Sequence, residues 1–338
     1  MSLRIGLFTI ASKNYLSYVR ALMDSVERHN PTYARYLFLA DEIEGRFAPN
    51  EESFRIVPAR DLEIQSFWDM VLRYDVMELN TAIKPYAFQW LLKNSNLDAI
   101  IYLDPDIRAY DRFSRLEAVI GKGPSVVFTP HISRPVEDEF NPNDYHMLQS
   151  GVFNLGFAAI TRCEEARIFV DWWARRLATQ GIASFADNLF TDQRWCDLAP
   201  CFLDRLHVFK DPGYNVAYWN LKERSIWPKG SSWMVNDLPL AFFHFSGIDV
   251  AGSEQISKHQ NRFSWEDLKG IQGLFSDYRE QVLMKGWRET RPLRYAYDFL
   301  AEDVRLTPIV RRTYRRFNPG SRPLREGDTL AAIREACL

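Results

Sequence analysis

Apolar residues along this chain fall into short unbroken runs, and between the runs they recur every three or four positions. The first pattern predicts buried strands and the second predicts helices. Residues 4–11, Arg-Ile-Gly-Leu-Phe-Thr-Ile-Ala, form a strand-length run that enters a small polar loop. Asn14 then opens a helix that ends near Asn30-Pro31. Residues 36–40 and 54–57 are further strands, and Thr81 is placed to cap a helix through Leu92, with Ile83, Ala87, Phe88, Leu91 and Leu92 as its apolar residues. The clearest strand is 99–103, Ala-Ile-Ile-Tyr-Leu, followed by 125–129 and 153–161. Residues 164–179 and 265–285 read as helices, whereas 210–236, rich in Pro, Gly, Trp and Asn, reads as irregular. Such alternation predicts an α/β fold, a mostly parallel sheet flanked by helices on both faces. Ligands of open sheets of this kind sit beyond the carboxyl ends of the strands. That rule gathers residues 11–15 and 104–106 around one cleft.

Composition adds an ample core, since 46% of the 338 residues are apolar and 14% aromatic. Charge is balanced, 42 Lys and Arg against 44 Asp and Glu, so no general attraction to nucleic acid is expected. Cys163, Cys196, Cys201 and Cys337 show no zinc-type spacing and no disulfide framework, and a reducing cytoplasm is the expected setting. No apolar run approaches the ~20 residues that span a bilayer, and the N-terminal run has no cleavage-like end. Residues 1–262 are expected to form the catalytic domain and 263–338 a helical extension. That extension is basic in 288–325, with ten arginines against four acids. Within it, Ile309, Val310, Tyr314 and Phe317 are spaced to form an apolar stripe beside Arg311, Arg312, Arg315 and Arg316, a pattern suited to peripheral contact with the inner face of a membrane or to docking on the core.

The chemistry concentrates at Asp104-Pro105-Asp106, where two carboxylates emerge directly from the 99–103 strand. Side by side they repel unless something neutralises them. Hard oxygen ligands suit Mg2+ or Mn2+, which leave coordination positions for phosphate oxygens. The same three residues also make an ordinary solvated turn.

Taken with Thr81-Ala-Ile-Lys84-Pro-Tyr-Ala-Phe-Gln-Trp-Leu-Leu92, the segment Ile101-Tyr-Leu-Asp-Pro-Asp-Ile107 resembles the GT-A-fold glycosyltransferases of family 8, the group of glycogenin and bacterial lipooligosaccharide galactosyltransferases. Further matches follow in family order: the first loop Thr9-Ile-Ala-Ser-Lys-Asn-Tyr15, the strand Phe153-Asn-Leu-Gly-Phe157, the pair within Thr191-Asp-Gln193, and Phe243-His244-Phe-Ser-Gly247. The resemblance implies a GT-A-like fold and a metal-dependent hexosyltransferase. Its donor would be a nucleotide-diphosphate sugar, a UDP-sugar by family habit, and transfer would retain configuration. It implies Asp104, Asp106 and His244 as ligands of Mn2+ or Mg2+. It implies donor contacts at Thr9, Ala11, Asn14, Tyr15, Lys84, Asp104, Asn154, Gly156 and Gly247, and catalytic roles for Asp192, Gln193 and Lys84. The family's K-P-W after H-x-x-G is missing, because Ile248-Asp249-Val250 follows Gly247; Lys258, or His259, is the candidate replacement on a longer loop. The acceptor is expected to be a glycan, a lipid-linked saccharide or a protein. Two rival readings stand beside this one: a phosphatase of the haloacid-dehalogenase type, with Asp104 as nucleophile, and a catalytically silent carbohydrate-binding protein.

Overall fold

Seven consecutive buried residues, Ile5–Ala11, make the interior strand β1, and their predominantly apolar character follows from burial on both faces. Phe8 and Ile10 face one side with Tyr102, while Leu7 and Ala11 face the other with Ile101 and Leu103. The computed structural model describes residues 3–252, 255–300 and 304–337, without the side chain of Cys337. Its main sheet joins β1 to β2 (Ala34–Leu39), β3 (Arg55–Pro58), β4 (Ala99–Leu103), β6 (Val126–Pro130), β7 (Phe153–Thr161) and a short strand Leu206–Val208. From the Leu206–Val208 edge the order is that strand, then β6-β7-β4-β1-β2-β3. All pairings are parallel except those of β7, which runs against both β4 and β6. The fold class is therefore α/β and mostly parallel, as the alternation predicts. Helices α1 (Leu16–His29) and α5 (Ser114–Ile120) cover one face through Leu16, Val19, Leu116 and Ile120. Helices α2 (Phe67–Arg73), α3 (Val76–Ala82), α4 (Lys84–Asn94) and α6 (Glu164–Gln180) cover the other through Met70, Leu79, Phe88 and Trp173.

Two local expectations are corrected. Thr81 does not cap the helix that follows it. Asp75 starts α3 with a reciprocal capping box to Glu78, and the Thr81 hydroxyl donates back to the carbonyls of Met77 and Glu78 inside that helix. The chain then restarts at Ile83, where Pro85 suits the first turn of α4. The expected helix from residue 265 begins only at Gln272–Met284, after a single tight turn at Lys269–Ile271.

A smaller ladder completes the platform. β5 (Ile107–Ala109) pairs antiparallel with the strand Phe242–His244, so that His244 lies opposite Ile107. Helix Gln272–Met284 packs beneath this ladder, where Phe275 meets Phe243 and Tyr278 stacks on Phe245 at 3.8 Å. Helices Pro308–Phe317 and Thr329–Cys337 pack with Leu72 of α2 through Tyr314, Ala332 and Ile333, joined by Leu306 just before the first of them.

Candidate active site

β4 ends at Leu103, and a tight turn throws two carboxylates off the sheet. The Asp104 N–H donates to the Gly156 carbonyl at 2.8 Å, and the Ile107 N–H returns to the Asp104 carbonyl at 3.1 Å. The β5 ladder then brings the His244 imidazole across, its Nε2 3.0 Å from Asp106 Oδ1 and 3.5 Å from Asp104 Oδ2. One ligand atom from each of the three residues lies within 4.8 Å of the other two. Gly156 is required by this approach: a Cβ there would sit 2.4 Å from the His244 ring carbon Cε1 and 2.6 Å from Nδ1.

Electrostatics mark the cluster as one that needs positive charge. Burial raises the Asp104 pKa, opposed by Lys84 and His244 and reinforced by Asp106. Burial alone would lower that of His244, but Asp106 and Asp104 outweigh it and hold it raised. Two carboxylates and an imidazole with converging lone pairs fit a divalent cation such as Mn2+ or Mg2+, with positions left over for phosphate oxygens.

Beside the triad lies a buried polar floor. The Lys84 ammonium, 2% exposed, donates to Asp192 Oδ2 at 2.5 Å and to the Leu155 carbonyl at 2.8 Å, and it stands 4.2 Å over the Tyr102 ring. Tyr102 in turn donates to Asp104 Oδ1, which links this floor to the triad. Thr191, a β-branched residue, holds φ of +49° just before Asp192, a strained conformation of the kind found at functional sites. Gln193 spends its amide on backbone, donating to the Ser150 carbonyl and accepting from Leu155 N–H. A cavity of about 510 Å3 brings Lys84, Asp104, Asp106, Asn154, Gly156, Asp192, Gln193 and His244 together.

A neighbouring hollow of about 250 Å3 is lined by Ala11, Asn14, Tyr15, Asp104 and Asp106. Thr9, by contrast, is fully buried within β1 and is not among the lining residues; Ser12, whose hydroxyl donates to Asn14 Oδ1, takes that place. On the other side of Asp106, a cavity of about 520 Å3 is lined by Tyr15, Gly247, Lys258, His259, Trp287 and Arg291. The long loop after Gly247 folds back, with the Lys258 N–H donating to the Gly247 carbonyl at 3.1 Å. Gly247 has φ of +74°, and a Cβ there would meet His259 at 2.5 Å and Ser257 at 2.6 Å.

Three residues of the site escaped sequence reasoning. Arg291, on the C-terminal extension, was visible only as part of a basic stretch. His131 lines the cavity as a buried imidazole, which burial holds down at about 4 and therefore neutral. Asn215, at φ of +50° in the irregular 210–236 stretch, contacts His244 at 3.3 Å. An Asn in a Gly-rich loop is ordinary turn chemistry, so nothing distinguished it.

No protein-family model matches the chain. Two proteins of Bacillus subtilis (strain 168) are similar to it. The uncharacterized protein YfnF is 23% identical over 288 residues, covering 81% of this chain and 91% of its own. The uncharacterized protein YfnD is 21% identical over 255 residues, covering 74% and 79%. Among solved structures, the galactosyltransferase LgtC in complex with donor and acceptor sugar analogues matches with a TM-score of 0.52 at 16% identity, over 84% of this chain and 99% of that one. An active-site mutant of LgtC matches with a TM-score of 0.50 at 14% identity, over 85% and 99%. The chain thus has the GT-A glycosyltransferase fold that its motifs resemble.

Proposed function

We propose that this protein is a metal-dependent glycosyltransferase that moves a hexose from a nucleotide-diphosphate sugar, a UDP-sugar by resemblance, to a glycan or lipid-linked acceptor with retention of configuration. The observation that carries the reading is the convergence of Asp104, Asp106 and His244 at the carboxyl end of β4 in a GT-A fold. Asp104, Asp106 and His244 would hold Mn2+ or Mg2+, which supplies positive charge opposite the diphosphate as the sugar–phosphate bond breaks.

This chain's own groups divide the remaining work. Ala11, Asn14 and Tyr15 line the hollow suited to the nucleoside. Lys258 and Arg291, on the far side of Asp106, face the departing diphosphate, where charge grows most in the transition state; Lys258 takes the part of the missing K-P-W lysine. Lys84 fixes Asp192 by a buried ion pair, and Asp192 and Asn154 line the cavity suited to the sugar hydroxyls, with Gln193, its amide held by backbone, shaping the wall beside them. The acceptor hydroxyl attacks the anomeric carbon on the face from which the diphosphate leaves, a route that requires no enzyme nucleophile. The outward side of helix Pro308–Phe317 adds a candidate contact with an anionic membrane surface. Among the described residues no helix is long and apolar enough to cross a membrane.

Thermal shift of the full chain against nucleotide sugars with and without Mn2+ is the direct test. A ligand at a hundred times its Kd stabilises by about 2.7 kcal/mol. At least one nucleotide sugar is expected to raise Tm, more with Mn2+ than without, and then to be hydrolysed or transferred. No shift with any nucleotide sugar, or turnover of a simple phosphate ester instead, would overturn the reading in favour of one of its rivals.

A further inference from the structure

Asn215 is 1% exposed, and its side chain is held from three directions. Its Nδ2 donates to Thr129 Oγ1 at 2.8 Å and to Asn154 Oδ1 at 3.0 Å, while its Oδ1 faces His244 Nδ1 at 3.3 Å. Which end of an amide is oxygen is normally an inference from its neighbours. Here a backbone group settles it. The Gly156 N–H has no choice but to donate, and it donates to Asn154 Oδ1 at 3.1 Å. Asn154 therefore presents its oxygen to Asn215, so Asn215 must answer with its NH2 and turn its own oxygen towards His244. The acceptor at Oδ1 demands a proton on Nδ1 of the imidazole. When the ring is neutral, the lone pair is then on Nε2, the nitrogen 3.0 Å from Asp106.

We infer that Asn215 is a positioning residue for the cation: through a relay that starts at the Gly156 N–H and passes Asn154, it fixes His244 in the tautomer and ring orientation that offers Nε2 to the metal. This goes beyond the proposed function, on whose metal site it rests. It also gives the F-N-L-G strand a second purpose. Its glycine makes room for the imidazole, and its asparagine sets the polarity of the hydrogen bonds that reach it. Partners that hold the second ring nitrogen of a ligating histidine typically carry 10–100-fold in metal affinity.

The test is Mn2+ binding to the full-length protein, followed by titration calorimetry or by the electron paramagnetic resonance of free Mn2+, with unfolding measured in parallel without metal. Asn215→Leu keeps the volume and removes the acceptor, and is expected to weaken Mn2+ binding about 10–100-fold. Asn215→Asp keeps an acceptor for Nδ1–H but buries a charge against Asn154 Oδ1, so it is expected to recover most of the affinity while being the least stable variant. Asn220→Ala removes three neighbouring buried bonds, from Asn220 Nδ2 to the Asn215 and His131 carbonyls and from the Ala217 N–H to Asn220 Oδ1, without touching the His244 imidazole. It is expected to lose stability and to keep Mn2+ affinity within about threefold. A purely structural role makes affinity follow stability across all three variants, and that ranking, or normal binding by Asn215→Leu, overturns the inference. A wild-type protein that binds no Mn2+ removes the metal site and this inference with it, an outcome distinct from the other two.

Discussion

His244 sits between two acids, whose charges favour its protonated form. Removing Asp106 therefore does more than relieve repulsion between the two acids: it also strips His244 of its nearest counter-charge. Asp104→Ala and Asp106→Ala are expected to lower Mn2+-dependent transfer by about a hundredfold or more, with the fold retained by circular dichroism. The His244 pKa is raised in the folded protein above the ordinary value of about 6.5, so the stability it gives the metal-free form is fully present below that value and is lost as pH rises through the raised one. Metal binding has the opposite dependence, since proton and cation compete for Nε2. Mn2+ affinity is expected to fall roughly tenfold per pH unit on the acid side of that titration, and calorimetry at several pH values measures it; affinity independent of pH would remove His244 as a ligand. Lys84 and Asp192 form a different kind of pair, both nearly sealed from solvent. Lys84→Met leaves the carboxylate stranded and is expected to cost about 3–5 kcal/mol in denaturant unfolding, much of it recovered when Asp192→Asn is added. D-P-D, H-x-x-G, F-N-L-G and D-Q were all legible as residues. What the sequence did not carry was their use, since one does not read from Gln193 that its amide is committed to Ser150 and Leu155, nor from Thr9 that it lies sealed in β1.

Among elements, continuous apolar runs were the most readable, because a strand buried on both faces has no polar alternation to confuse it: 99–103 and 153–161 match β4 and β7 to the residue. Capping was less readable, because Asp75 and Thr81 are both good caps and only packing chooses between them. Helix Pro308–Phe317 departs furthest from its expected face. Tyr314 is buried, but Ile309 and Phe317 are 74% and 65% exposed. Arg311 turns inward to the carbonyls of Val71 and Tyr297 and to Asp298, and Arg315 reaches the Arg73 carbonyl and Glu78. Guanidinium groups bury readily where several oxygens converge, which a helical projection does not reveal. The outward side is therefore Arg305, Ile309, Arg312, Arg316 and Phe317. Replacing Arg305, Arg312 and Arg316 by Gln is expected to abolish pelleting with anionic vesicles at low salt, without changing sugar-nucleotide hydrolysis; equal pelleting with neutral vesicles, or none in the wild type, would leave this helix a packing element alone.

For the molecule as a whole, the alternation of strands and helices foretold the layers, and the far end of the chain was expected only as a helical extension, without its packing. The extension after residue 262 shares one core with the ladder under the site, where Phe275 and Tyr278 cover Phe243 and Phe245. A chain ending at Arg262 is accordingly expected to lose its cooperative thermal transition, and a truncated protein that melted like the full one would show the extension to be dispensable. The β5 ladder has a consequence in time as well as in space. Its two strands come from distant parts of the chain, and Asp106 and His244 meet only when Phe242–His244 docks on Ile107–Ala109. During synthesis the two aspartates leave the ribosome long before their histidine, and the helix that supports it emerges later still. The nascent protein thus carries two of the three ligands of the proposed cation site well before the third is made, and that site can be complete only within the last third of the polypeptide.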